Sequence, residues 1–116
     1  MNKNTDIQSC QDKIKEIKQE LVELGEIRQG SISEQYNVCG NPTCICKDPE
    51  NPKRHGPYYK LSYTHQGKGH TEFVKKEMID EVRQQLESYR SFRALTKEWV
   101  ELSVVVAKLR KASKGR

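Results

Sequence analysis

The residues of this chain best able to do chemistry are three cysteines and a histidine in its middle third. Cys39, Cys44 and Cys46 lie within eight residues, among Gly, Asn and Pro, and His55 follows after a short loop. Thiolates and an imidazole that converge on one point are the donor set of a tetrahedral zinc site. With 34% hydrophobic and 32% charged residues, a segment of this size buries little apolar surface and needs such a staple. We therefore predict a structural zinc knuckle.

The fourth zinc ligand has several candidates. The C-x4-C gap lies within the usual spacing of zinc ligands, and a C-x-C pair can direct both sulfurs to one side of an extended segment. His55 is the first choice for the fourth position, with His65, His70 and Asp48 as alternatives. Cys10 lies on a helical stripe and is interpreted as a small buried hydrophobe.

Catalysis at this cluster is the weaker interpretation. A catalytic zinc keeps an open coordination position and needs a nearby general base, whereas four candidate ligands would close the site. A thiol-redox site would place C-x-x-C ahead of a helix, and Cys44-Ile45-Cys46 is not of that form. We expect a protein that is not an enzyme, and keep a metal-dependent or thiol-redox enzyme as the third alternative.

Heptad spacing predicts a helix on each side of the cysteines. One covers residues 7–28 within an N-terminal segment 1–30, and Gly30 is the expected stop. The other covers 77–109 and, at about 1.5 Å per residue, is roughly 50 Å long, too long to be buried by so small a module. We therefore expect antiparallel packing of the two helices. The apolar stripes are Ile7, Cys10, Ile14, Ile17, Leu21 and Leu24, then Ile79, Val82, Leu86 and Tyr89, then Leu95, Trp99, Leu102, Val106 and Leu109.

Between the helices, residues 31–76 are predicted to hold a capping turn, the zinc knuckle and a β-hairpin. Ser31-Ile32-Ser33-Glu34 has the form of a capping box that begins a short helix. Residues 58–64 alternate, with Tyr59, Leu61 and Tyr63 on one face, and residues 70–74 return after a glycine turn, as in a β-hairpin. Residues 110–116 are predicted to be a basic tail.

The net charge of +5 is unevenly distributed. Lys and Arg number 5 against 6 acidic residues in 1–30, 7 against 4 in 31–76, and 9 against 6 in 77–116. Basic side chains neutralise phosphates, and aromatic rings among them can stack on bases. The predicted nucleic-acid-binding residues are Lys53, Arg54, Tyr58, Lys60, Lys68, Lys75 and Lys76.

The middle of the chain resembles a small family of uncharacterised bacterial and archaeal proteins. The resemblance covers about residues 31–92; it implies Cys39, Cys44, Cys46 and His55 as a set, and a helical C-terminal region. The family has no established activity, and its genes often lie in or beside mobile elements, which implies a role linked to nucleic acid or a transposase. The motifs that carry the resemblance are Ser31-x-x-Glu34-Gln35-Tyr36, Cys39-Gly40-Asn41-Pro42-x-Cys44-x-Cys46, His55-Gly56-Pro57-Tyr58-Tyr59-x-Leu61-x-Tyr63, Gly67-Lys68 and Phe73-Val74.

Together these observations predict an α+β protein: a zinc-stapled β-hairpin module between an N-terminal helix and a long C-terminal helix, packed as an antiparallel coiled coil. The expected function is that of a zinc-binding protein that binds nucleic acid, DNA in preference to RNA, or assists a protein that does, such as a transposase. The alternative is a coiled-coil protein-interaction adaptor in which the zinc module is purely structural; homodimerisation is left open. The N-terminus lacks the apolar core of a secretory signal and no apolar run reaches membrane-spanning length, so we expect a cytoplasmic protein without a membrane partner.

Overall fold

The computed structural model describes residues 3–114 as two helices and a three-stranded sheet. The elements are α1 (Lys3–Glu23), β1 (Ser31–Asn37), β2 (His55–His65), β3 (Lys68–Val74) and α2 (Ile79–Lys114), with short 3-10 turns at Ile45–Lys47 and Lys76–Met78. The predicted α+β class is confirmed. The chain divides into two compact units: α1 with the part of α2 that begins at Glu87, and residues Arg28–Leu86.

Helix α1 buries the predicted apolar stripe. Ile17 is completely buried, and the other five members of the stripe, from Ile7 to Leu24, are half-buried, while most residues between them are exposed. The predicted end of this helix is wrong, because α1 stops at Glu23 and not at residue 28. Gly30 is not a helix stop either: a Cβ there would lie 2.8 Å from the Ser62 carbonyl oxygen. Gly30 has a positive φ and no side chain, so the backbone at this residue can lie close against β2.

The predicted capping box is also wrong, because Ser31–Asn37 form strand β1. β1 pairs antiparallel with β2, with Ile32 opposite Leu61 and Glu34 opposite Tyr59, so the sheet order is β1-β2-β3. Ser-x-x-Glu favours a helix start locally, but β2 offers a whole edge of backbone donors and acceptors that a helix would leave unpaired. Tertiary pairing therefore overrides the local preference.

The predicted hairpin is present as β2 and β3. Seven residue pairs join the strands, from Tyr59 opposite Val74 to His65 opposite Lys68. The two turn residues, Gln66 and Gly67, both have positive φ, at 52° and 77°, which is the conformation of a type I′ turn.

The core of the sheet unit lies between one face of the sheet and the first turns of α2. It consists of Leu61, Val82 and Leu86, with Ile32, Tyr63 and Val74 packed against them. At the margin of this core, Arg28 makes two hydrogen bonds to Gln85 of α2. The Arg28 backbone N–H donates to the Gln85 carbonyl oxygen at 3.0 Å, and Arg28 Nε donates to Gln85 Oε1 at 2.8 Å. The Arg28 guanidinium also lies 3.6 Å from the Glu72 carboxylate of β3. Gln85 is buried, so the bond from Arg28 Nε satisfies a polar group that would be costly to leave unpaired.

Helix α2 is longer than predicted at its C-terminal end. It continues past residue 109 to Lys114, so most of the predicted basic tail is helical; residues 115 and 116 of that tail lie outside the described residues. Val106 is buried and the rest of its predicted stripe, from Leu95 to Leu109, is half-buried. Lys18 of α1 lies 5.1 Å from the centroid of the Trp99 ring. Antiparallel coiled-coil packing of α1 and α2 stays a prediction, as do the segment boundaries at 30, 76 and 109.

Among the described residues, neither helix is apolar over a stretch long enough to cross a membrane.

Replacing Ile17 with Ala should lower the free energy of unfolding by about 2–5 kcal/mol, because the side chain is fully buried and the substitution leaves a cavity. Urea denaturation followed by circular dichroism measures this. Val22→Ala is the matched control on the same helix: Val22 is 78% exposed, and its replacement should change stability by no more than about 0.5 kcal/mol. Equal denaturation midpoints for the two variants would contradict the burial of this stripe.

Candidate metal centre

The pairing of β1 with β2 brings the first cysteine to the histidine. At the open end of this ladder Asn37 lies opposite His55, after a register shift between Gln35 and Asn37. Cys39 follows Asn37 by two residues, so the chain leaves β1 beside the residue that begins β2. Two groups separated by sixteen positions in sequence are thereby placed next to each other by backbone hydrogen bonds alone.

Tight turns return the chain to the same point with Cys44 and Cys46. The Asn41 side-chain oxygen accepts hydrogen bonds from the Thr43 backbone N–H at 3.0 Å and hydroxyl at 2.8 Å, as in an Asx turn. The backbone N–H of Cys44 donates to the Asn41 carbonyl oxygen at 3.2 Å, and the Lys53 N–H donates to the Ile45 carbonyl oxygen at 3.1 Å. The second of these bonds holds the segment that leads into His55 against the turn that carries Cys44 and Cys46.

The four side chains form one compact cluster. The sulfurs of Cys39, Cys44 and Cys46 and a ring nitrogen of His55 all lie within 4.8 Å of one another, close enough to hold one metal ion. The sulfurs of Cys39 and Cys46 are 3.7 Å apart, and Cys44 Sγ lies 3.3 Å from His55 Nε2. In a tetrahedral zinc site the metal–sulfur bonds are about 2.3 Å and the metal–nitrogen bonds about 2.0–2.1 Å. Two sulfur ligands are then about 3.8 Å apart, and a sulfur and a nitrogen ligand about 3.6 Å apart. These two observed distances are therefore within a few tenths of an ångström of the tetrahedral values, and the other four separations are at most 4.8 Å.

His55 is held in position by the residue that follows it. Gly56 has a φ of 134°, and a Cβ on it would lie 2.7 Å from the Gln35 carbonyl oxygen. Only glycine tolerates this conformation and this approach of the two strands. The glycine therefore allows β2 to begin at His55 directly against β1.

The alternative fourth ligands do not belong to the cluster. The Asp48 carboxylate accepts the backbone N–H groups of Glu50 at 2.9 Å and Asn51 at 3.4 Å. The ring of His70 stacks on Tyr63 with centroids 4.9 Å apart, and His65 ends β2 beside the hairpin turn. Cys10 lies on the stripe of α1, as predicted, but is half-buried rather than buried.

Hydrogen bonding and burial change the pKa values of the three thiols in opposite directions. Backbone hydrogen bonding lowers the pKa of Cys39, chiefly at Asn41, and the pKa of Cys44, chiefly at Cys46. Burial raises the pKa of Cys46, which is only 1% exposed. Cys46 Sγ also accepts a hydrogen bond from the Cys39 backbone N–H at 3.4 Å. Such a donor stabilises the thiolate form of the side chain.

The predicted nucleic-acid-binding residues lie in and around the sheet but not on a single face. Tyr58 and Lys60 share one face of β2, because they are two residues apart in a strand. Lys68 begins β3 and belongs to the alternate face, while Lys53 and Arg54 precede β2 on the exposed loop. Lys75 and Lys76 follow β3 and are exposed.

Sequence reasoning missed two groups that shape this loop, namely the Asn41 side chain and the Ile45 carbonyl oxygen. The Asn41-Pro42 pair is a turn signal that predicts the first of them. The second accepts a hydrogen bond from the Lys53 backbone N–H, and no local signal indicates it.

Replacing Cys44 with Ser should abolish stoichiometric metal binding, because the cluster then offers only three of its four donors. The wild-type protein is expected to hold one metal ion per chain, measured by elemental analysis of freshly reduced protein. Cys10→Ser is the matched control and should retain the metal, since Cys10 lies on α1. Metal-free wild-type protein, or equal metal content in the two variants, would contradict this assignment.

In the metal-free protein, Cys39, Cys44 and Cys46 should all react with iodoacetamide at neutral pH. Without a bound ion the 39–55 loop is not held in its folded form, so each thiol is accessible to the reagent. Peptide mass spectrometry resolves the individual sites. Added metal should protect all three cysteines together and leave the reactivity of Cys10 unchanged; protection of only one or two would argue against a shared site.

Comparison with known proteins identifies a family but no individual relative. No curated protein and no solved structure matches the chain. The model of one family, Domain of unknown function (DUF6788), matches residues 7–84, about two thirds of the chain. The match takes in most of α1, the metal cluster, the whole sheet and the start of α2, and so begins earlier than residue 31, where the sequence resemblance begins. On this match, the chain belongs to the DUF6788 family.

Proposed function

We propose that this protein is a non-enzymatic, zinc-stabilised nucleic-acid-binding module, in which zinc holds the 39–55 loop and the basic residues beside it contact phosphate. The observation that carries the proposal is the cluster of three sulfurs and one nitrogen within 4.8 Å. Zinc is favoured among metals because three thiolates and an imidazole in tetrahedral array are its usual structural ligands. Four protein donors complete the coordination, which favours a structural over a catalytic role.

The apolar content of the sheet unit supports a structural need for the metal. The 39–55 loop contributes one buried side chain, that of Cys46, and is otherwise half-buried or exposed. A segment that buries so little cannot offset the conformational entropy of ordering about 17 residues. Metal binding would supply that free energy, because at such sites the binding free energy is also folding free energy.

The arrangement of charges supports a polyanionic partner. Two of the four acidic residues between 31 and 76 are paired with arginines: Glu34 lies 3.3 Å from Arg83 and Glu72 lies 3.6 Å from Arg28. A third, Asp48, caps the loop. Lys53, Arg54, Lys68, Lys75 and Lys76 are exposed and are available to neutralise phosphates.

The sequence resemblance supports the biological setting of this proposal. The family that it resembles is often encoded near mobile elements, so DNA is the preferred nucleic acid and a transposase is a candidate protein partner through the helices. A reducing compartment such as the cytoplasm would keep the three cysteines available as metal ligands.

Replacing Lys53, Arg54, Lys68 and Lys75 together with Gln should weaken binding to all nucleic-acid sequences alike, because phosphate contacts carry no sequence information. For the wild type, log affinity should fall linearly with log salt, with a slope of about −0.9 per phosphate contact on duplex or −0.7 on single strands. The quadruple variant should have a flatter slope. Fluorescence anisotropy with labelled duplex DNA, single-stranded DNA and RNA over a salt series measures both quantities.

The matched control replaces Lys13, Lys15, Arg93 and Lys97 with Gln, which removes the same charge from exposed positions on α1 and α2. This control should retain most of the affinity. Equal losses in both variants would assign the effect to net charge alone, and no binding of any probe at low salt would refute the proposed function.

A protein-interaction adaptor is the second candidate, favoured by apolar residues exposed on α2. Val100 is 63% exposed, and Val104 lies one turn further along and is also exposed. Such residues could contact a helix of another protein or a second copy of this chain. Salt separates the two candidates, because an apolar interface responds weakly to ionic strength whereas phosphate binding falls steeply.

A further inference from the structure

We propose that the face of the sheet turned away from α2 binds single-stranded nucleic acid by stacking bases on Phe73 and Tyr58, with Lys60 between them on the phosphate backbone. This inference rests on the proposed function and specifies its ligand.

The two faces of the sheet differ sharply in composition. The face that contains Leu61 packs on α2; by strand alternation and register it also carries Glu34 and Glu72. The opposite face, which we call the open face, has Lys60 at its centre and carries no acidic residue. Its other side chains are Ser31, Ser33 and Gln35 of β1, Tyr58, Ser62 and Thr64 of β2, and Thr71 and Phe73 of β3.

The aromatic rings of the open face are accessible. Phe73 is 71% exposed and Tyr58 is 43% exposed, although both lie within strands of a paired sheet. Single exposed apolar residues are common on protein surfaces, but here two rings share one face with a lysine. Within the sheet unit, Arg28–Leu86, seven of the nine side chains of this face are exposed, and those of Gln35 and Lys60 are half-buried.

The register places the three side chains as a contiguous site. Phe73 lies directly opposite Lys60 on the neighbouring strand, and Tyr58 is the next residue on the same face of β2. Directly opposed residues have Cβ atoms about 4.5–5.5 Å apart, and diagonal neighbours about 7–8 Å. Two rings at the diagonal spacing can each receive one base while a lysine between them reaches the connecting phosphate.

These features favour unpaired over paired nucleic acid. Aromatic side chains on an open sheet stack on bases that are free to turn outward, and this stacking tolerates any sequence because every base has a π face. In a duplex the base faces are occupied by neighbouring pairs, so Phe73 and Tyr58 would gain nothing from it. The absence of carboxylates on the open face removes the charge that would repel a phosphate.

Phe73→Ala tests the proposal, because Phe73 is exposed and its loss leaves the core intact. We expect affinity for a labelled oligo-thymidine strand of about 12 nucleotides to fall about 5- to 150-fold, the effect of losing one stacked base. Affinity for duplex DNA and for an abasic strand of equal length should not change, since neither offers a free base. Phe92→Ala is the control for loss of an exposed ring elsewhere, on α2, and should bind as the wild type does.

A second variant reports stacking directly. Phe73→Trp in a Trp99→Phe background places the single tryptophan on the open face, and its fluorescence should be quenched by the oligo-thymidine strand but not by the abasic strand. Lys60→Gln should flatten the slope of log affinity against log salt by the amount expected for the loss of about one phosphate contact. Lys15→Gln, on α1, is its control.

The outcomes separate this inference from the proposed function. The stacking site would be overturned, and phosphate binding retained, by either of two results. In the first, Phe73→Ala binds single strands as tightly as the wild type does. In the second, Phe73→Ala loses equal affinity for single-stranded, duplex and abasic probes. Failure of the wild type to bind any probe at low salt would overturn both.

Discussion

The backbone pairing of β1 with β2 is the interaction on which the rest of the sheet unit depends. It places Ile32 opposite Leu61 and so completes the apolar face that packs on α2. At the other end of the same ladder, the pairing of Asn37 with His55 brings the chain to within two residues of Cys39. The register differs by one residue between these two parts of the strand pair, because it shifts between Gln35 and Asn37. A shift by one residue in the part that carries Ile32 would turn this side chain to the open face.

The small core can stabilise only part of this unit. Leu61, Val82 and Leu86 anchor one side of the sheet, but that core does not extend to the loop between residues 39 and 55, where Cys46 is the only buried residue. Hydrogen bonds within the loop, among them those donated by the backbone N–H groups of Thr43, Cys44 and Lys53, contribute only about 1 kcal/mol net each. A metal ion bound at both ends of the loop would offset an entropy cost that these bonds cannot.

The sheet sorts its charges between two faces. Glu34 and Glu72 lie on the side of α2, where Arg83 and Arg28 are within ion-pair distance, and Arg83 also lies over the Tyr59 ring at 5.6 Å. The open face is left with Lys60 and no carboxylate. This segregation follows from strand geometry, because successive side chains along a strand point to opposite faces of the sheet. A residue that faces the helix therefore has neighbours in the strand that face outward. The face without carboxylates is therefore the one that the sheet does not pack on its helix.

The sequence by itself determined whatever depends on near neighbours along the chain. Heptad spacing located the stripes of both helices, alternation around Gly67 located the hairpin, and the clustering of Cys39, Cys44 and Cys46 near His55 indicated the metal site. Tertiary structure decided the features that require a distant partner. Ser31–Asn37 became a strand because β2 offered an unpaired edge. Phe73 could be placed on the open face only once its register with Lys60 was known, because strand alternation defines two faces but not which of them the helix covers.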